Sequence, residues 1–379
     1  MIIVLAPDSF KESLSAVQVC EAMSIGVRRV VPDAEIVHAP LADGGEGTVQ
    51  ALVSATGGSV VQIEATGPLG ESVHAPYGLF GDGETAVIEM AAASGLELVP
   101  KAKRNPLCTT TYGTGELIRD ALERGIRKIL IGIGGSATTD GGCGMAQPLG
   151  VRFFDPSGDE ITEPMTGERM GAIRRIDLSD RCPMTGESEI LVACDVNNPL
   201  LGPNGSARVY GPQKGASPQG VEILERNMQS AYDIIEDKIG RKVRDVPGAG
   251  AAGGLGAGFM AFLNARLQSG IELVLDAMRF SEKIKGADLI LTGEGRVDHQ
   301  TVFGKAVAGI ANLAKPLDIP VVVIAGSAEE GIEQLFEIGV TSVRSLCNES
   351  ISQEEAVTRA PELIADATET ELRDFILSS

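Results

Sequence analysis

Residues 286–305, GADLILTGEGRVDHQTVFGK, restrict the fold of this chain more than any other stretch. A short apolar run at 288–291 follows a glycine and predicts a strand that is buried on both faces. We interpret the glycines at 293 and 295 as a tight turn, and the apolar spacing after residue 303 as a helix. A strand, a turn and a helix in this order predict an open α/β sheet, whose ligands bind at the carboxyl ends of the strands.

The predicted turn carries Glu294 and Arg296, and Asp298 follows two residues later. Two carboxylates and a guanidinium beside backbone N–H groups suit a phosphate with its metal ion. A βα turn whose charges face water is the simpler explanation of a single loop of this kind. The functional interpretation therefore depends on whether the pattern recurs.

The pattern recurs in four further loops, each of which follows a predicted strand. These loops contain Asp8, Ser9 and Lys11; Asp43 and Glu46; Ser136, Thr138, Thr139 and Asp140; and Asp195 and Asn197. Glycine lets N–H groups approach an anion closely, and carboxylates can hold Mg²⁺ or accept a proton from a hydroxyl. Lys and Arg stabilise developing negative charge. Together these are the roles that phosphoryl transfer requires.

Composition limits the partners of the chain. A net charge of −20 over 379 residues argues against a nucleic acid or an anionic membrane as partner. The six cysteines lack CxxC spacing and fit a reducing cytosol. The N-terminal apolar run is too short for a signal peptide, and no apolar run reaches membrane-spanning length. We therefore expect a cytoplasmic protein.

The order of the predicted elements indicates an α/β fold with two domains. Both chain ends, 1–60 and 275–379, would form a Rossmann-like parallel-sheet domain, and 61–274 an inserted second α/β domain. The insert opens with three strand patterns that predict an antiparallel meander. The active site is expected in the cleft between the two domains.

Capping and spacing signals predict further boundaries. They place a helix after a Thr114 cap, a helix at 143–149, an apolar helix from the glycine run 248–258 to about Leu267, and helices at 271–285 and 328–338. Residues 156–188 are polar and irregular and predict a surface excursion. The glycine run is either a phosphate cradle or hinge, or a place where small residues permit close packing.

Motifs of other enzyme classes are absent from the sequence. It contains no Walker loop, no GxGxxG in the first βα unit, no HRD or DFG triplet and no GxSxG elbow. His38 and His74 fall in strand patterns, and His299 lies in a candidate loop where catalysis is the less favoured role. Cys143 and Cys194 have no histidine at a useful spacing, so we assign them to packing.

Five longer motifs carry a family resemblance: APDSFKESLSA (6–16), PLADGGEGT (40–48), GIGGSATTDGGCGMA (132–146), ACDVNNPLLGPNGSARVYGPQKGA (193–216) and TGEGRVDHQT (292–301). Together they resemble the type I bacterial glycerate kinases, in order and over essentially the whole chain. The resemblance implies ATP- and Mg²⁺-dependent phosphorylation of D-glycerate to 2-phosphoglycerate by a two-domain α/β enzyme. Pro148 departs from the family pattern and would kink or shorten its helix. His299 stands where a small polar residue is expected.

The resemblance and the loop chemistry together assign candidate roles. Asp195, or secondly Asp298, would accept the proton of the attacking hydroxyl, and Lys11 and Arg296 complete the catalytic set. The predicted ATP-phosphate site consists of Gly134, Gly135, Ser136, Thr138 and Lys214. The predicted substrate site consists of Asp8, Ser9, Lys11, Asn197 and Arg296. The predicted Mg²⁺ ligands are Asp43, Glu46 and Glu294, with Asp8 as a further candidate.

Two alternatives stay open at this point. The chain could phosphorylate another small hydroxy or sugar acid, because one hydroxyl or methylene changes binding only modestly. It could also be a non-catalytic, anion-binding sensor of the same fold, although acids in every candidate loop disfavour this, since anion binding alone would favour bases. The oligomeric state is left open, a homodimer included.

Overall fold

The computed structural model describes residues 1–10, 13–42, 45, 47–299, 301–302, 306–348 and 351–378. The strands are β1 (Ile2–Leu5), β2 (Glu35–His38), β3 (Ser59–Thr66), β4 (Ser72–Leu79), β5 (Thr85–Glu89), β6 (Lys128–Gly132), β7 (Arg152–Phe154), β8 (Arg175–Asp177), β9 (Glu189–Ala193), β10 (Arg266–Gln268), β11 (Leu289–Val297), β12 (Val321–Ala328) and β13 (Val340–Ser345).

The α-helices are α1 (Ala16–Val30), α2 (Thr48–Thr56), α3 (Ala91–Ser94), α4 (Tyr112–Glu123), α5 (Cys143–Ala146), α6 (Ser206–Tyr210), α7 (Pro218–Ile239), α8 (Ala251–Leu263), α9 (Gly270–Ala277), α10 (Phe280–Lys283), α11 (Ala306–Ala314), α12 (Glu333–Glu337), α13 (Gln353–Thr358) and α14 (Ala360–Ser378). Short 3₁₀ turns connect several of them, including Pro212–Lys214.

The chain divides into two compact units. Met1–Asp43, Gln50–Gly57 and Ile271–Ser379 form the first unit, and Gly44–Val49 and Gly58–Gly270 form the second. The domain boundaries predicted from the sequence, at 60/61 and 274/275, stay a prediction, as does the cleft between the two domains.

The first unit is built on a parallel five-stranded sheet of order β13-β12-β11-β1-β2. Leu5 of β1 lies opposite His38 of β2 on one side and opposite Leu291 of β11 on the other. This arrangement confirms the predicted Rossmann-like sheet, to which both ends of the chain contribute. Helix α1 begins after a capping box, in which Ser15 and Gln18 bond reciprocally.

The strand order of this sheet reverses between β1 and β11. The chain runs from β1 to β2 on one side, and from β11 through β12 to β13 on the other side. Loops that leave the carboxyl ends of two such strands diverge and leave space between them, so this position is where open α/β sheets bind ligands.

The second unit contains a mixed six-stranded sheet of order β10-β9-β6-β5-β4-β3. The strands β5, β6, β9 and β10 are parallel, whereas β3, β4 and β5 form the predicted antiparallel meander. One continuous core covers the sheet and includes the fully buried side chains of Tyr77, Phe153 and Phe259. Strands β7 and β8 form a separate two-stranded sheet.

The glycine turn predicted after residue 291 is wrong, because β11 continues without interruption to Val297. Glu294 pairs with Ala325 of β12, and Arg296 pairs with Ser327. The glycine at 293 serves close packing instead of a turn: a Cβ there would lie 2.2 Å from the carbonyl oxygen of Ile324. Glu294 and Arg296 therefore lie on a strand.

The polar segment 156–188 is not the surface excursion that its composition predicts. It contains β8, and Met165, Met170 and Ile173 are fully buried in the core of the second unit. Because these apolar residues are spaced singly among polar ones, the segment gives neither a helical nor a strand period.

Several predicted helix limits are wrong. Helix α4 begins at Tyr112, so Thr114 lies inside it, and α5 ends at Ala146, shortly before Pro148. Helix α8 ends at Leu263. In place of the predicted helix 271–285 there are two short helices, α9 and α10, separated at Arg279, which has a left-handed conformation. In place of the predicted helix 328–338 there is only the short α12.

Candidate active-site loops

The parallel strands of the second unit end at one level. Glu89 of β5 lies opposite Gly132 of β6, which lies opposite Ala193 of β9. The segments that follow these three strands therefore leave the same edge of the sheet. The segment after β6 contains the predicted phosphate loop at 134–138, and the segment after β9 contains the predicted Asp195–Asn197 loop.

Lys214 supports the predicted phosphate loop from inside the protein. Its ammonium group donates hydrogen bonds to Ser136 Oγ at 2.7 Å and to the carbonyl oxygen of Thr138 at 2.6 Å. The side chain is almost completely buried, with 2% exposure. Burial lowers the pKa of Lys214 to about 7, and the charge of Asp140 partly opposes this change. Sequence reasoning selected Lys214, Ser136 and Thr138 as one site, and the structure brings them together.

Asp140 fixes the far end of the same loop. Its carboxylate accepts hydrogen bonds from the N–H and hydroxyl of Thr111, both at 2.8 Å, and from the N–H of Gly142 at 3.0 Å. The side chain is fully buried, and burial raises the pKa of its carboxyl group despite these donors. Asp140 therefore anchors the loop and is not exposed to a ligand.

The glycine run 248–258 packs against this loop. Three consecutive residues, Ala252, Gly253 and Gly254, have left-handed φ angles of 51°, 76° and 85°. A Cβ at Gly253 would lie 1.9 Å from the carbonyl oxygen of Thr138. Gly253 also accepts a hydrogen bond from the N–H of Gly141 at 3.1 Å. Of the interpretations left open by the sequence, close packing is therefore the one that the structure supports.

Two hydroxyls of the loop are buried without a hydrogen-bond partner among the described residues, namely Thr138 Oγ1 and Thr139 Oγ1. Both threonines are fully buried. A buried, unsatisfied hydroxyl costs about 1–3 kcal/mol. The loop between Ser136 and Asp140 thus keeps polar groups whose bonds are not all made within the described part of the protein.

A second candidate loop reaches the phosphate loop. A Cβ at Gly134 would lie 3.5 Å from Cα of Gly45, so the backbone at Gly45 is a close neighbour of the backbone at Gly134. Glu89 accepts the N–H of Val49 at 2.9 Å, near the N-terminus of α2. Sequence reasoning missed Glu89, although its position at the end of a predicted strand was a usable signal.

Asp195 and Asn197 are both exposed at the end of β9. Asp195 Oδ1 accepts a hydrogen bond from the N–H of Gly270 at 2.9 Å. The neighbouring Asn198 has a structural role, since its side chain bonds to the carbonyl oxygen of Asn204 and to the hydroxyl of Tyr210. Asp195 and Asn197 are therefore exposed, whereas Asn198 is half-buried and tied to its own loop.

In the first unit, Asp8 and Ser9 lie where the strand order reverses. The N–H of Asp8 donates to the carbonyl oxygen of Gly293 at 2.8 Å, which holds the segment after β1 beside β11. The Asp8 carboxylate accepts the N–H of Ser9 at 2.6 Å. Both side chains are half-buried. The structure thus brings Asp8 next to the segment of β11 that carries Glu294.

Glu294 is buried, with 7% exposure, and its Oε1 accepts a hydrogen bond from Thr301 Oγ1 at 2.7 Å. Asp298 is mostly covered, and Arg296 Nε lies 3.9 Å from its Oδ2. The guanidinium of Arg296 is exposed and pairs with Glu329. The acid at 294 is thus fixed inside the protein, whereas the arginine faces solvent.

Three predicted site residues, Lys11, Asp43 and Glu46, lie outside the described residues. Within the described ranges, no group of three or more His, Cys, Asp or Glu side chains is arranged to hold a metal ion. His38 is exposed and forms a hydrogen bond with the hydroxyl of Ser24 at 2.9 Å. Cys143 is fully buried in the core, and burial raises the pKa of its thiol far above the usual value.

No described helix is long and apolar enough to cross a membrane.

A profile of the glycerate kinase family matches residues 3–375. A glycerate kinase of Halalkalibacterium halodurans is 51% identical over 365 residues, which cover 96% of each chain. A glycerate 2-kinase of Escherichia coli K12 is 50% identical, over 97% of this chain and 96% of the relative.

A crystal structure provisionally assigned as glycerate kinase 2 of Salmonella typhimurium LT2 is 46% identical, with a TM-score of 0.90 over 100% of this chain and 99% of that chain. These matches define the protein as a phosphotransferase with an α/β fold. More narrowly, the chain belongs to the glycerate kinase family, which confirms the resemblance seen in the five sequence motifs.

Proposed function

We propose that this enzyme transfers the γ-phosphoryl group of ATP to the 2-hydroxyl of D-glycerate and forms 2-phosphoglycerate. Membership of the glycerate kinase family supports the acceptor. The name of the Escherichia coli relative, a glycerate 2-kinase at 50% identity, supports the 2-position. The observation that carries the use of a nucleotide phosphate is the loop at 134–138 with the Lys214 ammonium buried beneath it.

Ser136 supplies a donor to a phosphate oxygen in this proposal. Because Lys214 donates to Ser136 Oγ, the serine oxygen acts as an acceptor in that bond, and its own proton is left for a ligand. Gly134 and Gly135 are exposed, and the left-handed φ of Gly135 turns the backbone at this point. Backbone N–H groups in such a turn can bind an anion directly.

The hydroxyl of glycerate must lose a proton during the transfer. Asp195 remains our first candidate for the base, since it is exposed at the end of β9, and Asp298 is the second. The N–H of Gly270 orients the Asp195 carboxylate by occupying Oδ1. Asn197 and Arg296, both exposed, would bind the substrate together with Asp8 and Ser9.

Mg²⁺ would neutralise the charge of the transferring phosphate. It takes one or two protein carboxylates together with water and phosphate oxygens. Glu294 and Asp8 fit this requirement, since both are carboxylates at the reversal of strand order. Asp43 and Glu46 remain proposed ligands from the sequence.

The test is a coupled assay of the purified protein with Mg²⁺-ATP and D-glycerate, with phosphorus NMR to locate the new phosphate group. We expect 2-phosphoglycerate. Formation of 3-phosphoglycerate would support kinase activity on D-glycerate but would refute transfer to the 2-hydroxyl. If neither product forms and another short hydroxy acid is phosphorylated, that acid and not D-glycerate is the acceptor.

The variant Asp195→Asn separates the two candidate bases. It should retain the fold, because the amide oxygen can still accept the N–H of Gly270, and turnover should fall by about 10²–10⁴-fold. Asp298→Asn is the matched comparison. Near-normal turnover in Asp195→Asn together with a large loss of turnover in Asp298→Asn would identify Asp298 as the base.

A further inference from the structure

Thr301 connects two acids of the candidate site. Its hydroxyl donates to Glu294 Oε1 at 2.7 Å and accepts the N–H of Asp298 at 3.1 Å. Its own N–H donates to the carbonyl oxygen of Asp298 at 3.0 Å. Thr301 is fully buried. No role was assigned to this residue from the sequence, although it lies inside the motif TGEGRVDHQT.

The direction of these bonds is fixed by the donors. The N–H of Asp298 can only donate, so the oxygen of Thr301 accepts in that bond. The hydroxyl proton of Thr301 stays available for Glu294, whose Oε1 accepts it at 2.7 Å.

Rotational freedom explains why such a bond matters. A glutamate side chain has three rotatable bonds, and the hydroxyl of Thr301 restrains their far end by its hydrogen bond to Oε1 of Glu294. Thr301 is held to the backbone of Asp298 by two hydrogen bonds. Thr301 can therefore hold the Glu294 carboxylate in one orientation, as the hydrogen-bond partners of metal-binding carboxylates do.

We propose that Thr301 is a positioning residue, which orients the Glu294 carboxylate for Mg²⁺ and links it to the segment that carries Asp298. The inference rests on the proposed function, in which Glu294 takes part in binding Mg²⁺-nucleotide. A purely structural role, the closure of the turn after β11, predicts a loss of stability alone. The two roles therefore differ in their effect on metal dependence.

The test compares variants that differ by the hydroxyl group. Thr301→Val and Thr301→Ala lack it, whereas Thr301→Ser keeps it. Thr368→Val is a control in the same unit, since Thr368 is also fully buried and its Oγ1 has no hydrogen-bond partner among the described residues. If Thr301→Val does not fold, the Ser and Ala variants still isolate the hydroxyl.

Three quantities are measured: the Mg²⁺ concentration for half-maximal turnover, the dissociation constant of Mn²⁺-ADP by water-proton relaxation, and the melting temperature. Thr301→Val and Thr301→Ala should raise both metal-dependent constants by about tenfold or more. Thr301→Ser should stay within about threefold of the wild type for both constants, and Thr368→Val should not change them.

Unchanged metal-dependent constants in Thr301→Val and Thr301→Ala, with a lower melting temperature, would overturn the inference and leave Thr301 a structural role. Equal losses in the Ser and Ala variants would overturn it too, because the hydroxyl would then be irrelevant. A wild type that binds Mn²⁺-ADP without phosphorylating D-glycerate would refute the proposed acceptor alone, since the titration still measures the effect of Thr301.

Discussion

Replacement of Gly253 by alanine tests the link between the glycine run and the phosphate loop. The added Cβ would lie 1.9 Å from the carbonyl oxygen of Thr138. Non-bonded heavy atoms keep about 3.5 Å apart, so the Thr138 peptide would have to move by about 1.5 Å. That carbonyl accepts the bond from the Lys214 ammonium at 2.6 Å, and such a movement would break it.

The expected cost has two parts. Alanine at a left-handed φ costs about 1–2 kcal/mol anywhere in the chain. The steric displacement of Thr138 adds about 1–3 kcal/mol. Because a misplacement of about 1 Å can cost about a hundredfold in rate, we expect a similar fall in kcat.

Gly240→Ala supplies the matched control. Gly240 has a φ of 70° at the end of α7, and a Cβ there would meet no atom within 4 Å. It should show the backbone cost alone, with unchanged kcat. Thermal unfolding followed by circular dichroism and the coupled kinase assay measure both quantities. Equal destabilisation by the two substitutions, with full activity in Gly253→Ala, would refute the contact and the reasoning built on it.

Three further predictions follow from the described contacts. Because burial lowers the pKa of Lys214 to about 7, the unfolded chain binds more protons than the folded chain between pH 7 and the ordinary lysine pKa, and stability rises with pH there. Lys214→Met should remove about 2 kcal/mol of that rise between pH 7 and 9 in urea unfolding, and equal pH slopes for both proteins would contradict this. Tyr232→Phe should cost about 1–2 kcal/mol in the same assay, because its hydroxyl donates to the carbonyl oxygen of Gly141 at 2.6 Å in the core; no loss would show that this bond is not stabilising. Asp140→Asn should lower kcat by about tenfold or more, because an amide can accept the Thr111 and Gly142 donors at one oxygen only; a normal kcat would remove Asp140 from the support of the loop.

The sequence predicted the parallel sheet well, because short apolar runs between helical patterns have few other solutions. It also selected Ser136, Thr138 and Lys214 for one site, although Lys214 is far from the other two in the chain. That grouping came from the family resemblance. The hydrogen bonds from Lys214 to Ser136 and Thr138 could not be predicted, since they depend on how the 3₁₀ turn at Pro212–Lys214 packs.

The errors have separate physical origins. Gly293 was interpreted as part of a turn, whereas it allows β12 to approach β11, and a sequence does not distinguish these uses of glycine. Arg279 breaks a predicted helix by adopting a left-handed conformation that its residue type does not favour. Thr301 was missed because a buried threonine has no sequence signal until its partners are known.

The position of β1 in the sheet has a consequence for synthesis on the ribosome. Its neighbour β11 emerges about 250 residues after β2, which is on the order of 10–50 s later at ordinary translation rates. Until then, β1 has a partner on one side only, and its other edge offers unpaired backbone groups. We expect nascent chains that end before residue 289 to present this apolar edge to chaperones, while the second unit, complete by Gly270, can already fold.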